Sequence, residues 1–482
     1  MLKKLIYISA IILLAVSCND FLYQEPDLQI SINEQLSTRE GVLQAYNGIY
    51  YDTEDIFSSK FAVYADALGG NITFTPSTLG DAIVTIPDEV FFAYNFNANP
   101  QELNFDEYYD EWYAVINQVN LILSRIGNYT FFSTSELNQL QAELLTIRAL
   151  AHYQVSLLFS QHNGFTPDGS HLGVVYNTAV LTAGVDFPSR KTMAETYIFI
   201  KADLDSALNL YSNTPLQSGP GYSYFNTIST TALYARIALQ MDDWQVARDL
   251  SSTVINNSGI SLTSQNNYIV EWEAPELPVN EVILEFSASR NPEGNVSSTL
   301  AANFQFSSLS NYADYVASGD LLALYEVSDI RQNLFLEVTI STQINGVDTN
   351  VDYHFTKKFQ DNAGTLFMRL SELYLIRAEA NARLGSDTEA LSDLNTIRTR
   401  ANLAPLNSTS TLLNDIFVER RRELAFEGHL LFDIVRYKKD VERNLGCIAA
   451  LCNLSYPSNF FILPIPEDNV LQNENIQQNE GY

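Results

Sequence analysis

Apolar positions along this 482-residue chain recur at three- and four-residue spacing in several long windows, the mark of helices that bury one face. Val42, Leu43, Tyr46, Ile49 and Tyr50 form one stripe behind Ser37 and Thr38. Trp112, Val115, Ile116, Val119, Ile122, Leu123 and Ile126 form a second. Ser133 and Glu136 have capping-box spacing and open a helix running to about Phe159; Thr192 and Glu195 repeat the signal ahead of Tyr197, Ile200, Leu204 and Ala207. Further helices are predicted near 229–241 and 243–256, then over 366–384, 388–400 and 412–426. The pattern breaks twice. Between 52 and 105, Gly69-Gly70, Pro76, Pro87 and Pro100 predict loop or short strand. Within 260–365, a strand is predicted near 282–286, and Leu336, Val338 and Ile340 alternate ahead of Asn345-Gly346, a hairpin signal.

Two helix pairs look alike: Leu233 to Ala247, turning at Asp243-Trp244, and Leu373 to Ala390, turning at Gly385. Their small residues allow close approach, and the layout resembles tetratricopeptide helix–turn–helix units. The expected fold class is mainly α, a tetratricopeptide-like helical scaffold with long loop and short β-hairpin insertions. The scaffold occupies mainly 37–51, 106–159, 190–258 and 365–436, and the insertions about 52–105 and 260–364, within a single domain over 37–482.

Composition narrows the function. Lys and Arg number 27 against 57 Asp and Glu, a net charge of −30, which argues against a nucleic-acid partner because phosphate binding needs clustered cations. The aromatic content is high, with 27 Tyr and 27 Phe but 3 Trp. The N-terminus places Lys3 and Lys4 before an apolar run from Leu5 to Val16, too short to span a bilayer, and then Ala15-Val16-Ser17-Cys18. This resembles a lipoprotein signal peptide over 1–17, with Cys18 as the lipid anchor and 18–36 as a tether; acyl chains would then hold an exported protein at a membrane. Cys447 and Cys452 remain, as a candidate disulfide or as free thiols.

The C-terminal third carries a family resemblance. Arg369-Leu370-x-Glu372-x-Tyr374-Leu375-Ile376-Arg377-Ala378-Glu379-Ala380, then Leu394-Asn395-x-Ile397-Arg398-x-Arg400-Ala401, Glu419-Arg420-x-Arg422-Glu423-Leu424-x-Phe426-Glu427-Gly428-His429 and Phe432-Asp433-Ile434-Val435-Arg436 follow in order. Leu463-Pro464-Ile465-Pro466 and Asn475-Ile476-Gln477-Gln478-Asn479 close the set. Upstream, Trp112-Tyr113-x-x-Ile116-x-x-x-Asn120, Arg148-Ala149-Leu150-Ala151-x-Tyr153 and Arg190-x-Thr192-x-x-Glu195-x-Tyr197 fit the same pattern. The chain resembles the SusD/RagB family of outer-membrane nutrient-binding lipoproteins of Bacteroidetes. After Phe159 the segment from Gln161 to Leu172 departs from it. The resemblance implies an outer-membrane lipoprotein facing the cell exterior. It would bind oligosaccharides and deliver them to a partner SusC-like TonB-dependent transporter. An oligopeptide-binding RagB-like lipoprotein and a helical glycoside hydrolase are the alternatives.

The resemblance also places ligand contacts on the two insertions. The candidates are Asn71, Phe74, Tyr94, Phe96 and Asn97 in the first, and Arg290, Phe306, Tyr312, Asp314 and Tyr315 in the second. Flat aromatic faces suit sugar C–H surfaces, and amides, carboxylates or guanidiniums suit hydroxyls. Each ring taken singly could instead fill a loop's own small core. The charged residues of the family motifs read as interhelical ion pairs, and the three Trp as packing. No H-E-x-x-H, G-x-S-x-G or phosphate-cradling loop is present, so no enzymatic activity and no cofactor are expected. Asp348-x-Asn350-x-Asp352 begins like a calcium loop, but Tyr353 stands where glycine is required and Phe359 at the twelfth place, so a hairpin edge is expected, with adventitious or ligand-assisting calcium left open.

Overall fold

The computed structural model describes residues 31–78, 82–97, 99, 105–182, 184–274, 280–287, 300–359 and 364–482. The proposed signal peptide, Cys18 and Arg290 lie outside them. Eleven of the described helices position the rest: α1 (Arg39–Ser58), α2 (Phe61–Gly69), α3 (Asp106–Leu123), α4 (Thr134–Phe159), α5 (Met193–Leu210), α6 (Thr227–Gln240), α7 (Trp244–Asn257), α8 (Leu370–Arg383), α9 (Asp387–Arg400), α10 (Leu412–Glu423) and α11 (Leu430–Arg436). They pack in series, α1 on α3, α3 on α4, α4 on α5, α6 on α7, α7 on α8, and α8 on both α9 and α10, while α11 lies on α2. This is a mainly helical, tetratricopeptide-like scaffold with small two-stranded insertions.

Local chemistry sets the helix starts. Ser133 accepts from the Glu136 amide while the Glu136 carboxylate takes the Ser133 amide at 2.8 Å, and Thr192 with Glu195 repeats the box. Asn226 and Ser229 form a third box that the sequence reading passes over. Two elements differ from expectation. Helix α2 lies inside a segment expected to be loop or strand: Val63 to Gly69 are all buried, so no polar face shows the helical period. Residues 366–369, expected as helix, instead belong to strand β8 (Thr365–Arg369), antiparallel to β2 (Val282–Phe286), because both are buried strands with near-continuous apolar runs. The hairpin of β6 (Phe335–Ile344) and β7 (Val347–Thr356) turns at Asn345 and Gly346, both in the left-handed region that a type I′ turn requires. Asp348, Asn350 and Asp352 lie along β7 as ladder residues. Among the described residues, no group of three His, Cys, Asp or Glu side chains converges as for a metal ion.

The motif charges tie the scaffold together. Arg369 donates to Glu281, Glu423 and Glu427, Arg400 donates to Glu281 and Glu423, and Arg331 to Asp329 and Glu423. Burial alone would raise Glu427, yet Arg369 and Lys358 hold it down to about 2. Arg377 pairs with Asp393, Arg420 with Asp433 and Arg436 with Glu379. Trp112 and Trp272 are buried, and Trp244 lies under the Arg383 guanidinium at 5.1 Å. His152 is neutral: Nδ1 donates to the Arg148 carbonyl, Nε2 accepts from the Asn177 amide, and burial pushes it down to about 3.

Candidate functional site

The two insertions meet. Strand β1 (Ile72–Phe74) pairs antiparallel with β5 (Tyr315–Ala317) in the register Ile72–Ala317, Thr73–Val316 and Phe74–Tyr315. The Ser318 hydroxyl donates to the Gly70 carbonyl at 2.7 Å and the Thr75 amide to the Asp314 carbonyl at 3.0 Å, extending the junction at both ends. The hairpin of β3 (Phe306–Ser308) and β4 (Asn311–Tyr312) folds over it, with the Tyr312 hydroxyl donating to the Pro76 carbonyl at 3.0 Å. Ala82 in turn accepts from the Gln343 amide of β6. Segments some 240 residues apart in sequence therefore share one loop-rich face.

The predicted residues divide between its floor and its rim. Phe74, Tyr94, Phe96, Tyr315 and Asn71 are at most 5% exposed and form the floor. Phe74 meets Tyr94 edge-on at 4.8 Å and Tyr315 at 5.9 Å. Tyr94 and Phe96 clamp the Arg443 guanidinium, which sits 4.0 and 4.6 Å from their ring centroids. Phe96 adopts φ of +51°, a conformation costing roughly 1–2 kcal/mol for a bulky L-residue, and its buried ring over Arg443 offsets that cost. The Tyr315 hydroxyl donates to Glu89. Asn71 donates to Asp66 at 2.6 Å and accepts from Arg421 at 2.8 Å. The packing of these side chains, not a ligand, explains their burial. At the rim, Asn97 and Asp314 are exposed, while Phe306 and Tyr312 are half-buried with rings stacked at 6.3 Å and 12°.

Phe91, which the sequence reading does not select, is 43% exposed on the helical turn Phe91–Tyr94 and lies edge-on to Phe92 at 5.4 Å. Its signal was the Phe91-Phe92 doublet after Pro87-Asp88 in a non-periodic segment. Arg443 gave no signal, being far from both insertions in sequence. Cys447 and Cys452 are joined as a disulfide, with Cα atoms 5.9 Å apart.

Electrostatically the face is acidic. Although Asp314 is exposed as a residue, partial desolvation of its carboxyl by neighbouring protein atoms, and then Glu89, push that carboxyl up. Burial lowers Arg443 to about 10, and its Nε and Nη2 donate to the Cys452 and Leu451 carbonyls. Arg421 is committed to Asn71 and Gly70. Both described guanidiniums on this face are thus spent on the protein itself. What it offers a ligand is ring faces, amide and carboxylate groups.

Two concavities elsewhere suit a sugar less well. A cavity of about 90 Å³ between α1, α2, α4 and α6, lined by Phe57, Tyr108, Arg236 and His429, falls below the ~150 Å³ that takes a benzene ring. An open groove of about 850 Å³ by Asn267 and Asn280 offers one ring among its described lining residues, Tyr222, and its Glu271 already accepts from Thr263 and Asn280.

Comparison with known proteins agrees with this architecture. Residues 342–482 match the family described as SusD family, and residues 20–239 match one described as "Starch-binding associating with outer membrane". SusD-like protein P38 of Formosa agariphila is 23% identical, with 97% of this chain and 96% of that protein covered. The starch-binding protein SusD of Bacteroides thetaiotaomicron is 35% identical over 120 residues, 24% of this chain and 21% of that protein. A crystal structure of a SusD superfamily protein from Bacteroides thetaiotaomicron superposes with a TM-score of 0.77 at 25% identity, covering 92% of this chain and 99% of that one. A SusD-like carbohydrate binding protein from Bacteroides vulgatus shares the fold, with a TM-score of 0.72 at 18% identity over 91% and 97% of the two chains. With family-model matches at both ends, relatives along almost its whole length and a common helical scaffold, the chain is homologous to the SusD and SusD-like outer-membrane proteins.

Proposed function

We propose that the protein binds oligosaccharides on the face where its two insertions pair, and hands them to a SusC-like TonB-dependent transporter in the outer membrane. Lipid on Cys18 would hold it there, facing the cell exterior. The reading is of a binding component with no bond-breaking chemistry, in keeping with relatives named as starch-binding and carbohydrate-binding. The observation that carries it is the β1–β5 pairing, which joins the insertion bearing the exposed Phe91 and Asn97 to the one bearing the Phe306–Tyr312 stack and Asp314. Rings there supply flat contact for sugar C–H groups, and the amide and carboxylate supply hydroxyl partners. A preorganised floor lowers the entropy cost of binding.

The test is isothermal calorimetry of the soluble chain against a panel of neutral oligosaccharides and a peptide library. Saturable binding of at least one oligosaccharide, weakened by Phe91→Ala and Tyr312→Ala, is expected. Binding of peptides alone would replace this reading with the RagB-like one.

A further inference from the structure

The segment 441–454 lies outside both insertions, yet it is built into the same face at four points. Its ends, β9 (Val441–Glu442) and β10 (Asn453–Leu454), pair antiparallel, and the disulfide closes the loop between them. The Arg443 guanidinium, clamped by Tyr94 and Phe96, donates to the Leu451 carbonyl at 2.6 Å and the Cys452 carbonyl at 3.0 Å. The Asn95 side chain bridges the first insertion to the loop, donating to the Phe91 carbonyl at 2.8 Å and accepting from the Ala450 amide at 3.1 Å. Asp320, just past β5, accepts from the Asn444 and Leu445 amides, and the Thr73 hydroxyl donates to the Gly446 carbonyl. Contact with the second insertion is so close that a Cβ on Gly319 would stand 2.7 Å from the Leu445 Cβ.

The loop's tip is apolar: Ile448 is 42% exposed and Leu451 43%, matching Phe91 across the Asn95 bridge. Two exposed apolar side chains on a cross-linked, anchored loop, with Phe91 exposed on the turn that Asn95 ties to it, are costly to leave bare, and the anchors leave them little freedom to fold inward. The backbone groups named above are already bonded within the protein. This ledge therefore offers contact area, without charge or hydroxyl partners.

We infer that the disulfide-closed loop 447–452 is a third wall of the ligand face, whose Ile448 and Leu451, with Phe91 on the adjoining turn, receive the apolar C–H face of a sugar ring. Arg443 acts as the positioning residue that locks this wall to the turn carrying Phe91. The occupant is a glycan rather than a protein because the ledge is continuous, through Asn95, with the ring-and-amide rim already described. The inference rests on the function proposed above.

The experiment takes the oligosaccharide that the wild-type chain binds most tightly and compares three variants by calorimetry under non-reducing conditions, with melting temperatures recorded alongside. Ile448→Ser with Leu451→Ser should weaken binding by about fivefold or more, with Tm unchanged because both side chains are exposed. Cys447→Ser with Cys452→Ser should weaken it similarly by freeing the wall. Val270→Ser, exposed on another part of the molecule, should bind as wild type. If the cysteine variant also melts lower, the serine pair at 448 and 451 decides. Unchanged affinity in that pair, or an equal loss in Val270→Ser, overturns the inference while leaving the proposed function standing; failure of the wild-type chain to bind any oligosaccharide overturns the proposed function itself.

Discussion

On the turn Phe91–Tyr94 two rings three residues apart meet different surroundings: Tyr94 is wedged between Phe74 and Arg443, whereas Phe91 reaches solvent. Truncating them should separate stability from binding. Tyr94→Ala leaves a core cavity and an unstacked guanidinium, and should cost about 3–5 kcal/mol in denaturant unfolding. Phe91→Ala should leave the unfolding midpoint within about 0.5 kcal/mol of wild type and lower glycan affinity instead. A second residue-scale expectation concerns Glu143, buried on α4 and accepting from Tyr46, Tyr50 and Gln139. Burial outweighs those hydrogen bonds and pushes its carboxyl from 4.5 up to about 7. The folded chain then keeps a proton that the unfolded chain releases above about pH 4.5, so stability falls as pH rises from there to 7 and then levels off. The loss amounts to about 3 kcal/mol at 1.36 kcal/mol per pH unit. Glu143→Gln removes this ionisation; urea midpoints measured from pH 4 to pH 8 should show the variant gaining on wild type as pH rises.

Elements were legible where they announce themselves locally. The boxes at Ser133–Glu136 and Thr192–Glu195 fix two helix starts to the residue, because the cap is a short-range bond. Thr192→Ala should cost about 1 kcal/mol, read from the shift in urea midpoint. Elements hid where burial erased the polar face. Val63 to Gly69 is buried all round, Asp66 included, and Leu366 to Met368 reads as an extension of the helix that starts at Leu370. Only the pairing with Val282–Phe286, about eighty residues away, makes β8 a strand. The same strand ends in Arg369, whose three carboxylate partners come from two further elements and their loops. Arg369→Met would take from Glu427 its main counter-charge and from Glu281 and Glu423 one of theirs, and should destabilise by about 3–5 kcal/mol in chemical denaturation.

Across the whole molecule, the charge of −30 acts as a filter on ligands. Arg421 and Arg443 are both committed internally, so a sulfated or carboxylated oligosaccharide should bind more weakly than the neutral one of the same linkage. Titrations at low and high ionic strength should show that gap narrowing as salt screens the field. The two aromatic, non-periodic insertions that form the proposed face were readable in the sequence. Which rings face out was not, because loop side chains follow no period, and Tyr94 and Phe96 are drawn inward by an arginine from a third segment. The ladder of Ile72–Phe74 with Tyr315–Ala317 bears on how such a protein can change its diet. A graft of either insertion alone from a relative would have to match the hydrogen-bond register and the Phe74–Tyr315 ring contact of the strand left behind. On the proposed function, the unit that sets specificity would be a matched pair of distant segments, and chimeras that exchange 70–97 and 300–318 together should fold where single-loop chimeras fail.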